Sequence, residues 1–528
     1  MNEWFLNKKI KVIGYILFTL FCAIVLTLSI RGLPGNPNTS ELNRLTWKDN
    51  GPLELSPERG RYALTYAIAE THQFSFTPDL ARFAAPDVGY LNGKYVSLFA
   101  PTVSFIILPG YLIGKALGFA QVGSFAVVAL FALLNVFLIR AIAVKLGMHP
   151  LAGLLAGITF LFATPSFAYA VTLYQHHIST FIILLGIYLL IAYDSVWSLI
   201  GIWMLCALSI SVDYPNFFMM LPIGIGALGR TFMAKKHERG ITFNIPVIRV
   251  LAMASMIIPL AFFLWFNNAS YGSPFQLSGT VDRSVQINKD GSPVLESAQV
   301  KARLKATGQP QILPQKSALG SFNSRLIMQG FYIHFLSPDR GMIVYTPVML
   351  FGFAGMILAL KRRMKYTWLL VAIIGFNVLT YSMWDDPYGG WAFGSRYLIP
   401  TYGVLSIFLA YLLTKFSKYN LFLLFFFTLY AYSTSVNTLG ALTSNRNPPK
   451  VEAVALSQVT HHDEPYTYFR NLNVLNLNNS KSVVFEAVAS NYVTAWSYYG
   501  YVTAFIIFVS SFLIITLRSV TKGVKDAL

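Results

Sequence analysis

Runs of about 20 apolar residues recur from one end of this chain to the other, each the length needed to cross a hydrocarbon core of about 30 Å. Only 12% of the 528 residues are charged and 55% are hydrophobic. Soluble domains carry about 25% charged residues. With a mean hydropathy of +0.55, the chain is expected to be an all-α polytopic membrane protein.

Basic residues orient the threading. The run Val12 to Ile30 follows Lys8, Lys9 and Lys11. It exceeds a signal-peptide apolar region of about 7–15 residues, and no small-residue cleavage site follows. It reads as a retained signal anchor with the N-terminus inside. The run Ser97–Leu117 is broken by Pro101, Pro109 and Gly110. Counted as a span, it would place Arg230-Lys235-Lys236-Arg239 and Lys361-Arg362-Arg363-Lys365 outside, against the positive-inside bias. Laid at the outer surface as an interfacial or re-entrant element, it leaves spans near 121–143, 150–171, 178–193, 196–212, 215–230, 246–266, 341–360, 366–383, 398–414, 419–437 and 498–517. About twelve spans result, with both termini cytoplasmic.

The outer side then holds a first loop over 32–120 with interfacial helices, the turn Tyr174-Gln175-His176-His177, and long loops over 267–340 and 438–497. None is large enough to stand alone, so 1–528 reads as a single transmembrane domain. Much of the net charge of +18 sits in short segments between spans, where membrane lipids are a sufficient partner and nucleic acid is not required. Cys22 and Cys206 lie in apolar segments and offer neither a disulfide framework nor zinc spacing. Walker-type phosphate loops, GxSxG and HExxH are absent.

The polar clusters that remain fall on the outer side. In Ser56-Pro-Glu-Arg-Gly-Arg-Tyr62, serine, proline and glutamate suit a helix start, with Ser56 as the cap. That explains Ser56 and Pro57 but not the concentration of charge at Glu58, Arg59 and Arg61. Asp87 and Lys94 flank an Asn92-Gly93 turn signal, where a hairpin is the plain reading. His176 and His177 sit at a helix end with almost no loop around them. There an imidazole can bond phosphate, ligate a metal or relay a proton. Trp384-Asp-Asp-Pro-Tyr-Gly-Gly-Trp-Ala-Phe-Gly-Ser-Arg-Tyr397 is the densest cluster. Its aromatics suit a membrane interface, its glycines allow close backbone approach, and Arg396 enters a span where a cation needs an anion. Asp339 with Arg340, and Asp213-Tyr-Pro-Asn216, are weaker signals on the same face.

Together these segments resemble the membrane-embedded glycosyltransferases of the GT-C superfamily. The likeness rests on the first helix followed by a long outer loop, and on three segments. These are Asp87…Asn92-Gly-Lys-Tyr-Val-Ser97…Ala100-Pro101, Ser337-Pro-Asp-Arg-Gly341, and Gly389-Gly-Trp-Ala-Phe-Gly-Ser-Arg-Tyr-Leu-Ile-Pro400. The resemblance implies transfer of a sugar from a polyprenyl-phosphate donor to a lipid, glycan or protein acceptor on the outer face of the cytoplasmic membrane. It implies an acidic general base after the first helix, here Glu58 with Asp87 as rival. Arg396, with Lys94 or Arg340, would meet the donor phosphate. His176 and His177 stand where many members carry a second acidic residue. Arg61, Tyr62, Trp384, Asp385, Asp386 and Tyr397 are the candidates to line substrate. A divalent cation (Mg or Mn) stays an open question, with Glu58, Asp87 and His176 as candidate ligands. The competing classes are a transporter or flippase of lipid-linked sugars and a non-catalytic protein of envelope-glycan assembly. The transporter reading calls for charges deep in the spans and for repeats, and the spans hold almost no acidic residues.

Overall fold

The computed structural model describes residues 2–48, 50–232, 234–237, 240–243, 246–306 and 320–526. Each expected span is helical: Asn2–Ser29, Ala120–Lys145, Pro150–Phe162 continued by Ser166–Ala170, His176–Ala192, Val196–Val212, Asn216–Thr231, Ile257–Tyr271 continuing Val247–Leu251, Leu350–Lys361 after short turns from Met342, Thr367–Ser382, Ile399–Phe416, Asn420–Leu442 and Ala495–Asp526. Six helices among the described residues are long and apolar enough to cross a membrane, and several more are shorter and apolar. The chain is a polytopic helical membrane protein.

The basic turns gather at one end of the bundle. Arg249 pairs with Asp194 at 3.2 Å and donates to the Arg230 carbonyl at 2.9 Å, while Lys145 lies 5.9 Å from the Tyr193 ring centre. The His149 backbone reaches Thr414 Oγ1 at 3.1 Å, and Ser417 reaches Thr521 at 3.2 Å. Arg239 and the stretch 307–319 of the third outer loop lie outside the described residues.

The ambiguous apolar run forms the helix Thr102–Ala116, and both its ends meet the opposite end of the bundle. Thr102 Oγ1 donates to Ser211 Oγ at 2.8 Å, beside the Asp213 turn. At the far end the Lys115 and Gly118 carbonyls accept from Asn36 and Gly35 at 2.8 and 2.7 Å, just past the first helix. Both ends of this helix thus contact segments at the end of the bundle opposite the basic turns. Its Gly110 packs directly on Gly123 of the next helix, where a Cβ would meet the Gly123 carbonyl oxygen at 2.4 Å.

A small antiparallel sheet covers this end. Its strands run in the order Ser75–Phe76, Lys94–Ser97, Val88–Leu91, Asp282–Ile287 and Pro293–Leu295. The Asn92-Gly93 turn closes the hairpin, with φ of 50° and 78°. The third outer loop supplies the last two strands, with Gly89 paired to both Val96 and Arg283. The sheet thereby fixes the first outer loop against the third.

Candidate active site

Beneath this cap, at the span ends opposite the basic turns, lies a cavity of about 470 Å³. Its polar wall carries Arg61, Tyr174, Gln175, Asp213, Tyr381, Trp384, Arg396 and Tyr397, and its apolar wall Leu98, Phe99, Ile210, Phe217, Phe218 and Phe322. Two distant clusters of the sequence thus meet here, Arg61 with the Trp384–Tyr397 segment.

Arg61 follows Pro57 by one helical turn, so both face the cavity. Its Nη1 donates to the Pro57 carbonyl at 2.9 Å, its guanidinium lies 4.4 Å from the Phe99 ring centre, and its Nε is buried without a partner. Burial lowers the Arg61 pKa to about 10, opposed by Asp213, so it remains a cation at neutral pH. Arg396 is 9% exposed. It stands 5.1 and 5.5 Å from the Tyr174 and Tyr397 ring centres, with Nε and Nη1 buried and unpartnered. Among the described salt bridges neither arginine has a carboxylate partner. Two desolvated forks with open donors beside one cavity are chemically suited to an anion.

Aromatic rings frame it. Tyr381 and Tyr397 stack at 4.2 Å, and Tyr174 stacks on His176 at 5.7 Å. His176 sits behind the wall, edge-on to Tyr397 at 6.4 Å, with Nε2 unpartnered. His177 serves packing: its Nε2 lies 2.8 Å from the Ser166 carbonyl, and Asn135 donates to its own carbonyl at 3.0 Å. Sequence reasoning did not find His334. Its ring stands edge-on to Tyr397 at 6.4 Å and bonds Ser395 Oγ at 2.8 Å, with burial pushing its pKa down to about 4.

Asp213, a weak signal in the sequence, is the one carboxylate among the described cavity-lining residues. Gln175 Nε2 donates to its Oδ2 at 2.9 Å, and the Tyr381 hydroxyl reaches the same oxygen at 3.4 Å. Burial raises its pKa, opposed by Gln175 and Arg61.

The other candidates stand elsewhere. Glu58 is fully buried one helical position from Pro57 but off the cavity wall. Its Oε2 accepts from the Leu55 backbone at 3.1 Å and its Oε1 has no partner. Leu55, not Ser56, is the helix N-cap, because Ser56 Oγ is drawn instead to Asp87 Oδ2 at 2.5 Å. Asp87 also pairs with Arg283 at 3.0 Å, which ties it to the sheet rather than the cavity. Lys94 is exposed on the hairpin and Tyr62 is buried between Phe83 and Tyr111. Arg340 is buried off the cavity wall, its Nη1 and Nη2 donating to the Ala392, Gly390 and Asn447 carbonyls at 2.8, 2.7 and 3.4 Å while its Nε has no partner. Asp385 is exposed, and Asp386 caps the turn through Tyr388 and Gly390 backbone N–H groups at 3.1 and 2.5 Å. The glycines there adopt left-handed backbone, with φ of 71°, 62° and 61° at Gly389, Gly390 and Gly394, so they shape the loop around Arg340. Among the described residues no three His, Cys, Asp or Glu side chains gather as a metal site.

The sequence matches no family model and no curated protein. In structure the chain is similar to ArnT from Cupriavidus metallidurans in the apo state, with 12% identity and a TM-score of 0.48 over 97% of this chain and 78% of that one. Against the same protein bound to undecaprenyl phosphate the values are 14% and 0.40, over 97% and 78%. The Archaeoglobus fulgidus oligosaccharyltransferase tethered with an acceptor peptide gives 12% and 0.39, over 93% of this chain and 55% of that one. Likenesses of this size assign no residue.

Proposed function

We propose that this protein is a GT-C-type glycosyltransferase that moves a sugar from a polyprenyl-phosphate donor to an acceptor at the outer membrane face. The observation that carries this reading is the pair of buried arginines, Arg61 and Arg396, which form none of the described salt bridges, on the wall of a cavity whose other wall is apolar. A phosphate ester with an isoprenoid tail has the same two-sided chemistry. The phosphate meets the guanidinium forks, and the first isoprene units follow the apolar wall past Phe218 to Phe217, which is 46% exposed. Trp384, Tyr381 and Tyr397 line the same cavity and offer aromatic surface and polar edges to a sugar ring.

The arginines matter most as the anomeric C–O bond breaks. Negative charge then grows on the departing phosphate, and fixed cations in a site of low dielectric stabilise it without reorganising. A carboxylate is needed to take the acceptor proton. The test is transfer of label from radiolabelled undecaprenyl-phosphate sugars in membranes holding the wild type or Arg396→Ala at equal amounts. Wild-type transfer that the variant loses supports the reading. Equal transfer in both, or none above membranes lacking the protein, contradicts it.

A further inference from the structure

Resting on that reading, we propose that Asp213 is the carboxylate that takes the acceptor proton, rather than the acidic residue that follows the first helix. Place is the first argument. Asp213 is the one described carboxylate on the cavity wall, and it shares that wall with both arginines. Glu58 and Asp87 lie off it, the first held by a backbone N–H and the second by Ser56 and Arg283. A proton acceptor must come within about 3 Å of the hydroxyl it deprotonates.

Positioning is the second. Asp213 ends the helix Val196–Val212 in extended backbone, and its own carbonyl accepts from Asn216 N at 3.0 Å as the next helix begins. Such a two-helix corner fixes the Cα. The side chain is fixed in turn by Gln175 Nε2 and the Tyr381 hydroxyl. Both of these bonds fall on Oδ2, and no described bond uses Oδ1. Oδ1 is the atom assigned to the acceptor.

Surroundings are the third. The groups that face Asp213 are Arg61 from the first outer loop, Gln175 from the second, Tyr214 beside it, and Tyr381, Arg396 and Tyr397 around the Trp384–Ser395 turn. Burial makes it a stronger base than a surface aspartate, while the arginines keep its charged form accessible.

The step balances. The acceptor hydroxyl gives its proton to Asp213 Oδ1 as its oxygen bonds the anomeric carbon. The anomeric C–O bond to phosphate breaks, and its electron pair leaves on the phosphate, where Arg61 and Arg396 meet the charge. Water then takes the proton from Asp213.

The test measures transfer from radiolabelled undecaprenyl-phosphate sugars by the wild type, Asp213→Asn and Asp213→Glu, with undecaprenyl phosphate binding measured separately. Asp213→Asn is expected to lower transfer by about 10²–10⁴-fold while still binding undecaprenyl phosphate. Asp213→Glu is expected to restore part of the transfer and to move the acid limb of its pH profile. Transfer by Asp213→Asn within about tenfold of wild type overturns the assignment and leaves the sugar-transfer reading standing. Should Asp213→Asn fail to accumulate, an unmoved acid limb in Asp213→Glu overturns it. A wild type without transfer overturns both.

Discussion

Arg31 Nη1 and Glu54 Oε2 form an ion pair at 3.1 Å in which the side chains are 0% and 3% exposed. Arg31 also donates to the Gly440 and Ala441 carbonyls at 2.6 and 3.2 Å and to Asn445 Oδ1 at 3.0 Å, and Glu54 accepts from Asn445 N at 3.0 Å. The pair thus ties the end of the first helix, the first outer loop and the fourth into one clasp. Removing one member strands a buried charge, which costs about 3–5 kcal/mol. Glu54→Ala is expected to lower stability by that order, read as thermal unfolding of the detergent-purified protein. A melting temperature equal to wild type would show the clasp to be idle.

Glu58 makes a pH-dependent contribution of definite sign. Burial raises its pKa from 4.5 to about 7, with Arg31 opposing. The folded state therefore favours the protonated acid, so this stability is fully present below pH 4.5 and is lost as pH rises through 7. A shift of this size corresponds to about 3 kcal/mol. Glu58→Gln removes the titration, so it is expected to be more stable than wild type near pH 8, with no such gain near pH 4. Unfolding at the two pH values reads the difference, and an unchanged gap between the proteins would refute it.

Arg396→Ala is expected to lower sugar transfer by about 10²–10³-fold, the usual loss when a donor to a developing oxyanion is removed. Arg396→Lys is expected to recover little, because an ammonium cannot reproduce the fork set between Tyr174 and Tyr397. Recovery to wild-type rate by lysine would reduce the role of Arg396 to simple charge.

Sidedness follows from the surface helix. Lys94→Cys and Lys115→Cys are expected to react with a membrane-impermeant maleimide from the same face, and Lys361→Cys from the other. Reaction of Lys115→Cys with the Lys361→Cys face would mean that Thr102–Ala116 crosses the bilayer.

The spans were legible because apolar length and the side of basic residues act locally, and neither needs knowledge of packing. Arg61, Trp384, Arg396 and Tyr397 were legible for a related reason: a cation or an aromatic at the end of a span has few inexpensive environments. Arg340 was a weaker signal, and its Nη1 and Nη2 are met by backbone carbonyls from two loops, partners that no sequence pattern displays. Asp213 looked weak because its nearness to Arg61 on one cavity wall exists only after the first outer loop folds over the helix ends. The Asn92-Gly93 hairpin was readable as a turn. Its pairing with Asp282–Ile287 was not, since strand register between distant loops leaves no local mark.

On the proposed function, Arg61 and Arg396 hold the phosphate of a polyprenyl carrier. Native mass spectrometry of the detergent-purified wild type and of the Arg61→Ala/Arg396→Ala variant, each titrated with undecaprenyl phosphate, tests it most directly. The expected result is a one-to-one lipid adduct on the wild type that the double variant loses while its fold is retained. Equal adducts on both proteins would contradict the account.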